Sequence, residues 1–279
     1  MILYILVTQK EFIMPRKQLT TSQIRGLKHT KKIVMITAYD ALFAKIFDEF
    51  ADMILVGDSL NMSFGGKRDT LEDVSMEQMI YHAKAVCRGA KEGMVVLDMP
   101  FGTYTNETQA IANATLAITQ SSVSAVKIEG GTEVAPIVKK MVQNSIAVMG
   151  HIGLLPQKVR LEGGYVVQGK TAEDARRLVA DAKALQEAGV FAIVCEGVKK
   201  EVATQIANSV DIPIIGIGAG NGVDGQVLVW SDLLGLYDGM EPKFLRKYLD
   251  GISLVKEAVK GYKEDVESGD FPNESESYL

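Results

Sequence analysis

Four acidic residues each close a short apolar run: Asp58 follows Leu55-Val-Gly57, Asp98 follows Val95-Val-Leu97, Glu129 follows Val126-Lys-Ile128 and Glu196 follows Ile193-Val-Cys195. One acid after a strand is an ordinary cap or turn former. Four on a shared rim would repel one another unless a cation, a basic side chain or shared protons offset their charge. Two carboxylates, with water and substrate completing an octahedron, suit Mg²⁺. Zinc suits the sequence less well, because it has three histidines and none is spaced as a ligand pair. Lys127 stands two residues before Glu129, so on a strand both point to one side and a cation enters the same space. His151 follows Val148-Met-Gly150 at another run's end, placed to hydrogen-bond a substrate or pass protons. His82, inside a helical stretch, reads as structural, and His29 as exposed.

The glycines offer weaker signals. Gly220-Asn-Gly222-Val-Asp-Gly225 satisfies the GxGxxG pattern, but the strand-like Gln226-Val-Leu-Val229 follows it, where a dinucleotide site requires a helix. Gly216-Ile-Gly218-Ala-Gly220 closes another run; its open backbone suits either a bound anion or a tight turn. Gly163-Gly-Tyr-Val-Val-Gln-Gly169 falls in a long connection and reads as a mobile segment over the site.

These residues meet only if the ends of the runs converge. Between Ile33 and Trp230 the runs alternate with amphipathic stretches, the pattern of β/α units around a parallel sheet. Strands are expected at 33–37, 53–56, 94–97, 125–128, 146–149, 191–194, 212–215 and 226–229. Helices are expected at 40–50, 75–92, 107–121, 132–144, 172–188 and 199–208, with a helical ending from 241 to 262. Thr171 with Asp174 resembles a capping box, and Gly189 a helix stop. Eight strands within about 200 residues predict an α/β fold, a (β/α)₈ TIM barrel, whose active site lies at the C-terminal ends of its strands.

The chain has 279 residues, 47% hydrophobic and 23% charged, which excludes wholesale disorder. A net charge of −5 leaves no positive field for nucleic acid. Two cysteines, Cys87 and Cys195, supply neither a disulfide framework nor a CxxC site and point to the cytoplasm. The apolar opening Met1-Ile-Leu-Tyr-Ile-Leu-Val7 stops at Lys10 and Glu11, short of a membrane span, so neither a signal peptide nor an anchor is expected. No Pro/Ser-rich linker divides the chain, so residues 1–279 read as one barrel domain, with a non-essential extension at 1–13. From Glu264 a tail carries six acids and no Lys or Arg, read as solvated.

Together the motifs Thr37-Ala-Tyr-Asp40, Gly57-Asp-Ser-Leu60, Asp98-Met-Pro-Phe-Gly102, Val126-Lys-Ile-Glu-Gly-Gly131, Gly150-His-Ile-Gly-Leu154 with Pro156-Gln157, Gly163-Gly-Tyr165 with Val167-Gln-Gly169, and Ile215-Gly-Ile-Gly-Ala-Gly-Asn221 with Asp224-Gly-Gln226 resemble the 3-methyl-2-oxobutanoate (ketopantoate) hydroxymethyltransferase family. The resemblance runs in order from about Ile36 to Leu236. It implies a barrel of the phosphoenolpyruvate mutase/isocitrate lyase type, Mg²⁺, 5,10-methylenetetrahydrofolate as one-carbon donor, 3-methyl-2-oxobutanoate as acceptor, and a step in pantothenate and coenzyme A biosynthesis. By matching motif it implies Asp58 and Asp98 as metal ligands that also contact the oxo acid, Ser59 and Lys127 as substrate-binding, Glu129 in the metal shell through water, Glu196 as proton acceptor, and His151 within the site. A homo-oligomer, commonly a decamer, is implied as well. Asn61, Leu155 and Lys199 depart from the family's usual Gly, Thr and Pro. Glu267-Ser-Gly-Asp-Phe-Pro272 resembles the family's ending and implies that part of the acidic tail docks.

On this reading the metal and Lys127 favour the enolate of the oxo acid, and a desolvated Glu196 removes its C3 proton. Two alternatives stay open. One is a Mg²⁺-dependent lyase or mutase acting on a pyruvate-like 2-oxo acid, which needs no one-carbon donor. The other is a catalytically silent barrel that binds such an acid, against which the gathered charges argue.

Overall fold

The strands Ile33–Thr37 (β1), Met53–Val56 (β2), Met94–Asp98 (β3), Ala125–Glu129 (β4), Val148–Gly153 (β5), Ile193–Glu196 (β6), Ile214–Ile217 (β7) and Gly225–Leu228 (β8) close into a barrel. Each pairs in parallel with the next, and β8 returns to β1. The structure, a computed structural model, describes residues 18–67, 69–237 and 242–278. The proposed extension at 1–13 lies outside the described residues.

The strands are apolar at successive positions because both faces are covered. Inward-facing Ile33, Met35, Met53, Leu55, Met94, Val96, Ala125, Met149, Val194, Ile215 and Val227 fill the barrel. Outward-facing Ile54, Val95, Leu97, Val126, Ile128, Val148 and Ile193 pack under the helices. The period of two then fixes what stands above the inner layer. Asp98 follows Val96, Lys127 follows Ala125, His151 follows Met149 and Glu196 follows Val194, each two residues on and each inward. The register aligns Asp98 with Lys127 and Glu129 with His151 on neighbouring strands.

The first helix, Thr21–Gly26 (α1), precedes the barrel and was not expected from the sequence. A Thr20/Gln23 capping box starts it, and its Ile24 is fully buried among the inner layer. The outer helices are Ala41–Phe47 (α2), Leu60–Gly65 (α3), Met76–Gly89 (α4), Glu107–Ser121 (α5), Ala135–Gln143 (α6), Val159–Glu162 (α7), Ala172–Ala188 (α8) and Lys200–Asn208 (α9). They are followed by Trp230–Leu233 (α10) and Gly251–Ser268 (α11). The Thr171 hydroxyl accepts the Asp174 N–H at 3.1 Å as expected, but the Asp174 carboxylate turns to the Gly169 and Lys170 amides, so only half the capping box forms. Gly189 ends α8 at φ +103°.

Three strands begin two residues later than expected. Ile146-Ala147, Phe191-Ala192 and Ile212-Pro213 are apolar because they approach the barrel through its core, and Pro213 has no N–H to give the ladder. The closing helix also lies further on, at Gly251–Ser268 instead of 241–262, started by the Asp250 carboxylate accepting the Ser253 N–H. It carries the first acids of the tail. Residues 264–278 are exposed, so the tail does not dock on its own barrel. Cys87 and Cys195 are both free. Among the described residues no helix is long and apolar enough to cross a membrane.

Candidate active site

Asp58, Asp98, Lys127, Glu129 and His151 gather at the C-terminal mouth, each at most 5% exposed. Glu196 completes the group with a side chain 20% exposed. The sequence brought all four acids to one rim, and the structure places them there. The Lys127 ammonium lies 2.9 Å from Asp98 Oδ1 and 3.2 Å from His151 Nδ1. A lysine ammonium only donates, so Nδ1 is the acceptor and the imidazole proton sits on Nε2. That atom lies 3.3 Å from Glu196 Oε2, off the angle of a hydrogen bond. The Asp58 amide donates to Asp98 Oδ2 at 3.2 Å, fixing the first two acids side by side. Ser59 stands at the edge of the group, its hydroxyl 2.7 Å from that of Tyr39. Gly57 keeps this corner open, since a Cβ there would lie 3.0 Å from Ser59 Oγ and 3.6 Å from Asp98 Oδ2.

The charges are unbalanced: Asp58, Asp98, Glu129 and Glu196 face one lysine. Burial, and then the neighbouring Asp98 charge, push the Asp58 carboxyl up to about 7. Burial and Asp58 hold Glu129 well above the usual carboxylate range. Burial raises Glu196 to about 7 against the pull of Lys127. Burial works against the Lys127 charge too, but Asp98, Glu129 and Asp58 outweigh it and hold the ammonium above its ordinary value. Burial and Lys127 keep His151 well below its usual range, hence neutral.

This donor set fits a divalent cation. Asp58 and Asp98 offer hard oxygens from adjacent strand ends, and Asp98 Oδ1 is buried with no hydrogen-bond partner besides the Lys127 ion pair. Among the described residues no three His, Cys, Asp or Glu side chains are grouped so as to hold a metal ion by themselves. Mg²⁺ does not require such a group, because it keeps waters and takes substrate oxygens.

Several polar partners escaped the sequence reading. Gln157, in the turn after β5, donates to Asp58 Oδ2 at 2.8 Å and Met99 O at 3.1 Å, and its backbone N–H reaches Glu129 Oε2 at 3.0 Å. The Tyr104 hydroxyl donates to Gln157 Oε1 at 2.5 Å and accepts the Glu129 N–H at 3.3 Å. Gln157 and Tyr39 appeared only inside motifs, and nothing in the sequence marked Tyr104. The segment 163–169 does cross beside the site: Gln168 exchanges backbone hydrogen bonds with the Gly197–Lys199 turn just after Glu196. Below it, Arg160 bridges to Asp69 at 3.1 Å and Glu72 at 3.2 Å in the connection after α3. His82 is structural as expected, its Nδ1 2.7 Å from Tyr39 O, and His29 is exposed. The glycines at 220–225 run into β8, which agrees with the rejection of a dinucleotide fingerprint. Asn61 is buried in α3, its Nδ2 without a hydrogen-bond partner.

A closed parallel barrel with charged groups collected at its C-terminal mouth defines a (β/α)₈-barrel enzyme. Solved structures of like shape include a phosphonopyruvate hydrolase complex with oxalate and Mg²⁺ (TM-score 0.60, 13% identity, 92% of this chain and 93% of that one). Another is 2,3-dimethylmalate lyase, a phosphoenolpyruvate mutase/isocitrate lyase superfamily member (TM-score 0.55, 15% identity, 90% and 85%). These likenesses show the fold. The model of the ketopantoate hydroxymethyltransferase family matches residues 18–274. The 3-methyl-2-oxobutanoate hydroxymethyltransferase of Wolinella succinogenes is 57% identical over 94% of this chain and 100% of its own length, and that of Helicobacter pylori strain 26695 is 51% identical over 95% and 97%. The chain belongs to the ketopantoate hydroxymethyltransferase family and is an enzyme of the transferase class.

Proposed function

We propose that the enzyme transfers a hydroxymethyl group from 5,10-methylenetetrahydrofolate to C3 of 3-methyl-2-oxobutanoate, giving 2-dehydropantoate and tetrahydrofolate for pantothenate biosynthesis. The excess of buried carboxylate over lysine at the mouth carries this reading, together with the relatives' activity. Asp58 and Asp98 would hold Mg²⁺, with Glu129 joining through water. Bound there, the ion would supply positive charge beside the oxo acid.

The protein's own groups do the rest. Lys127, held charged, faces the negative charge that develops on the keto oxygen and favours it over the ground state. Glu196, raised to about 7, takes the C3 proton at its carboxylate. Neutral His151, with its proton on Nε2, accepts from Lys127 through Nδ1 and orients that ammonium, while Nε2 stands 3.3 Å from Glu196 Oε2 without a hydrogen bond. Ser59 binds the oxo acid at the edge of the group. C3 then bonds to the folate methylene carbon, both carbon–nitrogen bonds of that carbon break, water adds its oxygen there, and the two freed nitrogens take up one proton from the water and the one removed from C3.

On the same reading residues 1–279 act as one barrel domain in the cytoplasm, with small-molecule partners and neither nucleic acid nor membrane. A homo-oligomer, with a decamer as the family resemblance implies, is supported by exposed Leu254, Val255, Val259, Tyr262 and Val266 on α11, too much apolar surface on one helix to leave in water. The test is product formation from 3-methyl-2-oxobutanoate and Mg²⁺ with and without 5,10-methylenetetrahydrofolate. Dehydropantoate should form only with the folate. Cleavage of a related 2-oxo acid with no one-carbon donor present would replace the transferase by a lyase.

A further inference from the structure

Gln157 stands where three connections meet. Pro156 opens a short 3-10 turn, Pro156–Lys158, just past β5. The first N–H groups of such a turn have no partner inside it, so the Gln157 N–H is free to donate outward, and it meets Glu129 Oε2. The side chain, on a residue only 6% exposed, is saturated. Both amide hydrogens are used, on Asp58 Oδ2 and Met99 O, and the amide oxygen takes the Tyr104 hydroxyl. The Tyr104 hydroxyl donates, so it can only meet the oxygen end of the amide, which turns the NH₂ end to Asp58. Tyr104 in turn is set by the Glu129 N–H.

This is more than a loop anchor. A neutral amide restrains a carboxylate oxygen without cancelling its charge, where a lysine or arginine in its place would compete with a cation. No described donor takes Asp58 Oδ1, which stays directed by the bond at Oδ2. The same residue holds an oxygen of Asp58 from its side chain and one of Glu129 from its backbone, two acids from strands that are not neighbours. We propose that Gln157, keyed by Tyr104, is the positioning residue that sets Asp58 and Glu129 for a divalent cation. Outer partners of this kind typically shift metal affinity by about 10- to 100-fold. The proposal rests on the cation reading above.

The test uses the full chain, with Mg²⁺ alone titrated calorimetrically and thermal unfolding followed without metal. Gln157→Met keeps the length of the side chain and loses its bonds to Asp58, Met99 and Tyr104, while the backbone N–H to Glu129 remains. It should weaken Mg²⁺ binding about 10-fold or more while the metal-free unfolding midpoint stays within about 3 °C of wild type. Tyr104→Phe should weaken binding in the same direction by a smaller factor. Because Tyr104 acts through the amide, the double variant should fall no more than about twofold below Gln157→Met. Wild-type Mg²⁺ affinity in Gln157→Met would overturn the proposal, as would fully additive losses. Should Gln157→Met not fold, Tyr104→Phe decides: unchanged Mg²⁺ affinity there overturns it. A wild-type protein that binds no Mg²⁺ at all removes the cation reading itself, a result that is distinguishable because it precedes any variant.

Discussion

The two mouths of the barrel bury charge in opposite ways. At the N-terminal mouth, where α1 plugs the barrel with Ile24, the Lys28 ammonium meets Asp224 Oδ2 at 2.7 Å and Ala207 O at 3.0 Å. Asp224 Oδ2 also accepts the Ile214 N–H at 2.9 Å. One cation meets one anion, and each has further partners. At the C-terminal mouth four carboxylates share one lysine, and Asp98 Oδ1 and His151 Nε2 lack a hydrogen bond. Burial is equal, since Lys28 is 7% exposed and Lys127 5%. Charge closes the lower end and is left over at the upper one, and leftover buried charge is what binds and reacts.

The contrast predicts opposite signs for removing charge at the two ends. The largest effect is expected from Asp58→Asn, which exchanges an anionic oxygen for a weaker neutral one and should lower Mg²⁺ affinity about 100-fold or more. Without metal, the same change relieves a carboxylate that burial and Asp98 have raised to about 7, so at pH 8 the unfolding midpoint should hold or rise. The sign follows because a carboxyl raised in the folded state costs stability as pH climbs from its unfolded value to its folded one. Calorimetric titration and thermal unfolding check both halves. A lowered midpoint would break the contrast.

At the other end Lys28→Met strands Asp224 without its cation. Breaking a buried pair in this way costs about 3–5 kcal/mol. Chemical denaturation should show that loss, while turnover per folded molecule stays at the wild-type level, because Lys28 touches nothing at the upper mouth. Reduced turnover in the folded fraction would show that the lower end also shapes the site.

The rim was legible in the sequence and its supports were not, for a physical reason. Asp98, Lys127, Glu129, His151 and Glu196 take their direction from the strand's period of two, a local rule that survives without the rest of the fold. Gln157 and Tyr104 meet across 53 residues through loops, where no period operates. The plug was missed because α1 is only 6 residues long and contributes one buried side chain, too few to show a helical stripe. The strand starts at 148, 193 and 214 were misplaced because core contact begins before ladder pairing does. The late position of α11 follows from Asp250, a cap that the charged stretch from Glu241 obscured.

Glu196 bears the central claim, that the unbalanced upper mouth is a base next to a bound oxo acid. Its test is exchange of the C3 hydrogen of 3-methyl-2-oxobutanoate in D₂O with Mg²⁺, followed by proton NMR without any folate. Wild type should exchange it, with a rate that climbs as pH rises through about 7 and levels off above, since the raised carboxyl must first ionise to accept a proton. Glu196→Gln should bind the oxo acid but exchange at least about 100-fold more slowly with no rise near pH 7, because the amide keeps the shape and cannot take the proton. Exchange that persists at the wild-type rate and pH profile in Glu196→Gln would contradict the assignment and move the base to another group at the same mouth.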